Sequence, residues 1–353
     1  MTGKFPPSIK PKKILIIKFS HIGDLVCTIP VLRGLRRTFP DSHIAWLIVR
    51  EWADVIRWDP DLSETIIFDR AEIDRSWYKP KGIHMYTDLL RKIRSEKFDW
   101  VIDLQGHMKS AFFGLVSGAP VRIGFSYARE CSPLLFTHRV DIPDSNHYVE
   151  RHIELARLLG LEVGPEDYRL VIPGDVRAFV DEYLRKNGLE RRKFIICNPP
   201  TTWVTKHYPV KHWRAVISEL VKEMPIVLTG GKGDTDLNGE IAEGIEGKII
   251  FASGETNLEQ YMGLIESAAL VICPDTGASF VAAAVNTPTV NIFGPSKPSR
   301  SGAFRLSEHV TAQVKCQGCL LTKYCPNFIC MDSIDPQTVI DAAHRLLALK
   351  IES

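Results

Sequence analysis

Lys18, Ser20, His21, Gly23 and Asp24 follow directly on the apolar run Ile14, Leu15, Ile16 and Ile17. A cation, an imidazole and a carboxylate beside a glycine, at the carboxyl end of a buried strand, suit proton transfer or anion binding. Asp24 is the first candidate for a catalytic base. The competing reading is that its side-chain oxygen caps the helix that follows. A second strand-loop-helix unit, WVIDLQG followed by HMKSAFFGLVSG, places Asp103, Gln105, Gly106 and Lys109 on or just after its loop. Strand ends of one parallel sheet lie side by side, so this loop can face that of Asp24.

Three loops in the second half share one design, in which a strand ends in small or hydroxyl residues and a helix begins. Thr201, Thr202 and Lys206 come after FIICNPP, Gly230 and Gly231 end IVLTGG, and Asp275, Thr276 and Gly277 end LVICPDTG. Helix N-termini offer free N–H groups and partial positive charge, which together with a lysine suit a diphosphate. Neither a Walker pattern nor G-x-G-x-x-G after a first strand is present. The loops therefore point to a nucleoside diphosphate rather than to a P-loop ATPase or a dinucleotide dehydrogenase. Cys316, Cys319, Cys325 and Cys330 form a separate cluster with a C-x-x-C opening. A structural zinc or iron, disulfides and unliganded thiols are its three open readings. None makes the cluster catalytic, because four thiolates leave no open position on a metal.

The elements that must position these residues alternate strand and helix through both halves. That pattern predicts an α/β protein with two Rossmann-like parallel-sheet domains facing each other across a cleft. The domains are expected at 1–172 and 173–335, joined through the Gly- and Pro-rich stretch 162–175. Residues 336–353 carry a last helix that could cap either domain, with the first as one destination. Pro30 is expected to kink the first helix or end its first turn. DRAEIDRSWYKPK reads as a basic loop holding Arg70, Arg75, Lys79 and Lys81, and TVNIFGP as the last strand.

The totals narrow the function classes. Among 353 residues, Lys and Arg number 44 against 42 Asp and Glu, so global charge does not point to nucleic acid. An anionic partner must be held by a local cluster. The start MTGKFPPSIKPKK has no apolar signal-peptide core, and no run approaches the ~18 apolar residues of a membrane span. The expected location is the cytoplasm, with peripheral contact at the inner face of the cytoplasmic membrane.

KFSHIGDLVCTIPVLRGLR, VIDLQGHMKSA, the Ala128-Arg129-Glu130 turn, HYVERHIELARLLG, NPPTTWVTKHYPVKHW and PDTGASFVAAAVNTPTVNIFGP resemble glycosyltransferase family 9, the bacterial lipopolysaccharide heptosyltransferases. The resemblance implies a GT-B fold, an ADP-heptose donor held by the C-terminal domain, and inverting transfer to a core sugar on lipid A. It implies Asp24 as general base and Thr201, Thr202 and Lys206 at the donor phosphates. Asp275, Thr276 and Gly277 would lie against phosphate and heptose. Lys109 and Arg129 would face an acidic acceptor, with Lys18 and the stretch Asp103, Gln105 and Gly106 shaping the acceptor side. No cofactor is required for such chemistry, and divalent-cation assistance is left open. Two features depart from the pattern. Phe280 stands where the family carries a histidine after PDTG, which puts the donor sugar in question. The four cysteines resemble type II and protein-directed members, some of which hold iron. A protein O-heptosyltransferase and a nucleotide-sugar-binding protein without transfer activity are therefore the alternative readings.

Overall fold

The computed structural model describes residues 4–76, 78–143, 146–321 and 323–349. The chain divides into two compact units, Met1–Tyr168 and Arg169–Ser353, the division falling inside the Gly- and Pro-rich stretch. The first unit holds strands β1 (Lys13–Ile17), β2 (His43–Val49), β3 (Glu64–Phe68), β4 (Trp100–Asp103), β5 (Val121–Phe125) and β6 (His138–Val140). They pair in the order β3-β2-β1-β4-β5-β6, all parallel. The second holds β7 (Ile195–Cys197), β8 (Ile226–Leu228), β9 (Ile249–Phe251), β10 (Leu270–Pro274), β11 (Thr289–Phe293) and β12 (Ser307–Thr311). Its order is β12-β11-β10-β7-β8-β9, again parallel throughout. Counted within its own unit, each sheet therefore runs 3-2-1-4-5-6.

Helices cover both faces of such a sheet, so its central strands need continuous apolar runs. Ile14 to Ile17 and Leu270 to Cys273 meet that requirement and have no exposed surface. In each sheet the order reverses beside its first strand, between β1 and β4 and between β7 and β10. At these two switch points the loops leaving neighbouring strands diverge, which is where ligands bind in open α/β sheets.

Pro30 does divide the first helical stretch. One short helix spans Ile22–Val26, and a second spans Ile29–Thr38 with the proline in its first turn, where its missing N–H costs nothing. Between them the Thr28 hydroxyl donates to the Leu25 carbonyl at 2.6 Å. The stretch expected to be a basic loop instead opens with a helix, Arg70–Ser76. Asp69 accepts from the Glu72 N–H at its start, and Arg70 donates to Asp74 at 3.2 Å one turn on. Lys81 donates to Glu72 at 2.6 Å, so carboxylates offset much of the local basicity. TVNIFGP is not the last strand. β12 adds an edge after it, and of its residues SEHVT only Val310 is fully buried. Charged edge strands lack the apolar pattern of central ones and are easily missed.

The C-terminal helix Pro336–Leu347 belongs to the second unit and does not need the first to cover it. Val339, Ile340, Ala342, Ala343 and Leu346 are buried in the core that also holds Trp213, Leu220 and Val310. In the first unit, Arg33 is almost wholly buried and grips Asp59 through both guanidinium nitrogens, at 2.5 and 2.6 Å, and Asp61 at 2.6 Å. Removing one partner of such a group strands buried charge. Arg33→Ala is expected to lower unfolding free energy by roughly 3–5 kcal/mol in chemical denaturation; a loss below about 1 kcal/mol would mean the network contributes little.

Candidate active site

β1 ends at Ile17, paired opposite Asp103 of β4, so the loops leaving both strands start side by side. They are joined by one side chain. Gln105 Oε1 accepts the backbone N–H of Phe19 at 2.9 Å and of Ser20 at 3.1 Å. The Ser20 hydroxyl lies 3.1 Å from the same oxygen and 3.0 Å from Asp24 Oδ2. A hydroxyl has one proton to donate, and Gln105 Oε1 is already served by two N–H groups. The Ser20 proton is therefore directed at the Asp24 carboxylate and holds it in place.

Asp24 does not cap the helix Ile22–Val26. His21 occupies the cap position without a side-chain cap bond, and Asp24 lies in the first turn, half-buried. A carboxylate there is favoured by the helix dipole while one oxygen stays available. The exposed His21 ring turns to Trp52, with ring centroids 6.1 Å apart.

Lys18 is buried, and its ammonium donates to the Leu104 carbonyl at 3.1 Å. It therefore serves the loop from inside rather than reaching out to an acceptor. Asp103 is buried as well; Oδ1 accepts the N–H groups of Gln105 and Gly106, both at 2.9 Å. Burial outweighs those bonds and the attraction of Lys18, and raises its carboxyl to about 6. Gly106 is left-handed (φ +71°), and its carbonyl accepts from Arg129 N at 2.9 Å. This ties the β4 loop to the turn at 128–130. Glu130 and Cys131 follow with φ of +57° and +58°, a strained pair of non-glycine residues of the kind found at functional turns. The Arg129 side chain is exposed. Lys109 turns elsewhere: its ammonium sits 4.6 Å over the Phe68 ring and 3.9 Å from Asp74, and burial lowers its pKa.

Two residues that sequence reasoning passed over belong to this region. Arg151 and His152 lie on the helix Tyr148–Leu158, whose amphipathic pattern reads as simple core packing. His152 is buried with Nδ1 2.6 Å from the Tyr148 carbonyl. Burial first, then the positive charges of Lys18 and Arg151, lower it to about 3, against the opposing pull of the Tyr148 carbonyl and of Asp24. The imidazole is thus neutral beside the candidate base. Arg151 stacks over Tyr127 at 4.8 Å and over Phe125 at 5.4 Å, and like Asp24 and Lys18 it acts electrostatically on buried Cys27.

In the second unit the loops after β7 and β10 meet at the other switch point. Lys206 Nζ donates to Asp275 Oδ2 at 2.6 Å, joining two of the expected donor-site residues. Thr276 caps the helix Gly277–Ala284 by position but makes no side-chain cap bond. Its hydroxyl has the Cys273 thiol beside it and no nitrogen or oxygen partner. Thr201 donates to the Trp203 carbonyl at 2.8 Å, and Thr202 is exposed on the same loop. Gly230 is needed for close approach, since a Cβ there would come 2.9 Å from Asp234 Cβ and 3.0 Å from Pro200 Cγ. Gly231 N donates to Asp234 Oδ2 at 2.7 Å. A buried polar net backs these loops. Asn198 Oδ1 accepts from Thr229 at 3.0 Å and Tyr261 at 2.9 Å, at the ends of β7 and β8, a cluster scattered in sequence and visible only once folded. Phe280, in place of the family's histidine, is buried in the helix Gly277–Ala284.

The four clustered cysteines are free thiols. Cys316 and Cys319 are exposed, while Cys330 is buried at the start of the short helix Ile329–Asp332. Burial raises the Cys330 thiol, and its three neighbours add to the shift. Among the described residues no group of three or more His, Cys, Asp or Glu side chains is placed to hold a metal ion. Of the three readings of the segment, the described geometry shows free thiols, with Cys319 exposed and Cys330 buried.

Two doubly wound α/β units of this kind are the building blocks of the GT-B fold. The model of glycosyltransferase family 9 (heptosyltransferase) matches residues 86–325, from ahead of the β4 loop through both switch-point loops of the second unit. The chain belongs to that family and is a glycosyltransferase. It is 25% identical over 324 residues to lipopolysaccharide heptosyltransferase 1 of Pseudomonas aeruginosa, covering 87% of this chain and 86% of the relative. A family 9 glycosyl transferase from Veillonella parvula superposes with a TM-score of 0.79 at 22% identity, covering 95% of this chain and 97% of the other. The ADP-heptose lipopolysaccharide heptosyltransferase II of E. coli gives 0.74 at 23% identity, with 95% and 98% covered.

The depressed His152 sets a pH prediction. Its folded value of about 3 lies below the ordinary 6.5, so the unfolded chain binds the extra proton between them. The stability from keeping it neutral is complete above 6.5 and is lost as pH falls toward 3. Between pH 7 and about pH 4.5 the unmodified chain is expected to lose roughly 2–3 kcal/mol more unfolding free energy than His152→Phe. Asp103 titrates alike in both chains and cancels from the difference. Parallel denaturation curves at the two pH values measure it; equal losses would remove His152 from the account.

Proposed function

We propose that the chain transfers a heptose from ADP-heptose to a sugar of the lipopolysaccharide inner core, with inversion at the transferred carbon and Asp24 as general base. The observation that supports it best is the division of labour between the two switch points. One unit offers a carboxylate on a helix's first turn, steadied by Ser20. The other offers Lys206 and an open helix N-terminus at Thr276 and Gly277. A single displacement needs those two functions: removal of the acceptor hydroxyl's proton, and stabilisation of the departing diphosphate.

In this reading Lys206 and the first N–H groups of the helix Gly277–Ala284 take the charge developing on the β-phosphate. Lys206 is already oriented by Asp275, which can turn to a sugar hydroxyl once phosphate engages the lysine. Thr201, Thr202, Gly230 and Gly231 border the nucleotide, the glycines allowing backbone close to it. Arg129 meets the acidic acceptor, with Lys18, Asp103, Gln105 and Gly106 fixing the acceptor loop, and Lys109 joins only by leaving Asp74. The chemistry needs no cofactor. The acceptor is lipid-anchored, so the enzyme works at the inner surface of the cytoplasmic membrane.

Incubation with ADP-heptose and a panel of truncated core acceptors, reading ADP release and product mass, tests the reaction. Asp24→Ala is expected to lower kcat by about 10²- to 10⁴-fold with little change in ADP affinity; undiminished turnover would remove Asp24 as the base. Lys206→Ala is expected to weaken ADP binding about tenfold or more in calorimetry. Tight ADP binding without turnover on any acceptor would favour a nucleotide-sugar-binding protein instead.

A further inference from the structure

The helix Met108–Ser117 buries Ala111, Phe113 and Gly114 but leaves Met108, Phe112 and Leu115 exposed. Their spacing of four and then three residues puts them on one stripe. The short turn Ser132–Leu135 packs beside this helix and carries Leu134, which is 72% exposed. Single exposed apolar residues need no explanation, but neighbouring ones with a charged rim do.

That rim is made of guanidinium groups. Arg122 donates to the Ala119 carbonyl at 2.7 Å and to the Leu135 carbonyl at 2.9 Å. Arg139 donates to the Pro133 carbonyl at 2.8 Å. Arg94 lies against Gly118 at the helix's end, where an added Cβ would meet its Nη1 at 1.6 Å. Among the described residues none of these three arginines has a carboxylate partner. Two acids on neighbouring segments have other partners: Glu130 accepts from Met108 N at 3.2 Å at the opposite end of the helix, and Asp141 accepts from Ser126 at 2.9 Å. Leu134 thus sits between positive charges that backbone carbonyls orient but do not neutralise.

We propose that this face docks on the surface of an anionic lipid bilayer. Phe112, Leu115 and Leu134 enter the boundary between headgroups and acyl chains, and Arg94, Arg122 and Arg139 meet lipid phosphates. A second copy of the chain fits less well, because a two-fold contact through this patch sets the same unpaired cations against each other. No helix among the described residues is long and apolar enough to cross a membrane. The inference rests on the proposed function for its purpose, a lipid-anchored acceptor, and not for its geometry.

The test is co-sedimentation of the full chain, without nucleotide sugar, with vesicles of phosphatidylcholine alone or mixed with phosphatidylglycerol. Binding to the anionic vesicles is expected to be about a hundredfold tighter, from three cations near the surface, and to weaken in high salt. Leu115→Glu with Leu134→Glu should reduce it about tenfold or more, while transfer to a water-soluble, delipidated core acceptor stays at the original rate. If that pair fails to fold, Arg94→Gln with Arg139→Gln should remove most of the anionic preference and leave weak neutral binding unchanged. Equal binding to both vesicle types, or full binding by the variants, overturns the proposal. So does a dimer that dissociates in the leucine variant without any vesicle binding, which would give the face to a second copy. Vesicle binding as expected, with no acceptor glycosylated, would instead overturn the proposed function and leave the docking face standing.

Discussion

The parallel pairing of β1 with β4 is the constraint on which the first unit depends. It sets Ile17 opposite Asp103, so two loops that are distant in sequence leave the sheet as neighbours. Gln105 then collects two N–H groups of the β1 loop, and Lys18 reaches back to the Leu104 carbonyl. Neither loop could hold this shape alone, since each supplies the other's missing hydrogen-bond partners. The outcome is a carboxylate, Asp24, held by Ser20 at the edge of a buried polar net. His152, bonded to the Tyr148 carbonyl, is kept neutral by burial and by the charges of Lys18 and Arg151. A neutral imidazole forms no ion pair with the Asp24 carboxylate.

The second sheet has the same order and uses its switch point for the opposite charge. Lys206 and the start of the helix Gly277–Ala284 present positive potential where β7 and β10 part. The near balance of charge in the whole sequence hides this, because local potential depends on where the charges are placed. The same is true of the arginines around Leu134.

Much of this was legible in the residues themselves. Central strands such as Ile14–Ile17 and Leu270–Cys273 declare themselves by continuous apolar runs, and the loops after them carry the polar residues, so fold class and the expected site loops could be read together. What was lost was the detail that depends on the third dimension. β12 went unseen because an edge strand needs few apolar residues. The helix Arg70–Ser76 was hidden in a charge run whose stabilising pairs form only within and beside the helix. Lys18 and Lys109 are expected on the acceptor side, yet one is buried and the other lies over Phe68, because a long aliphatic stem lets an ammonium follow packing. His152 sits on the apolar face of an amphipathic helix, where sequence gives no reason to separate it from ordinary core. The C-x-x-C spacing left metal, disulfide and free thiols open, because spacing does not fix which cysteines are buried; the fold buries Cys330 and exposes Cys316 and Cys319.

The transfer we propose is a single displacement in which a base in the first unit activates the acceptor and the second unit carries the leaving diphosphate. The configuration of the anomeric carbon in the product, read by NMR against that of the ADP-heptose supplied, tests it most directly. Inversion is the expected result. Retention would contradict it, because it requires an even number of displacements or front-face attack, neither of which Asp24 as sole base can provide.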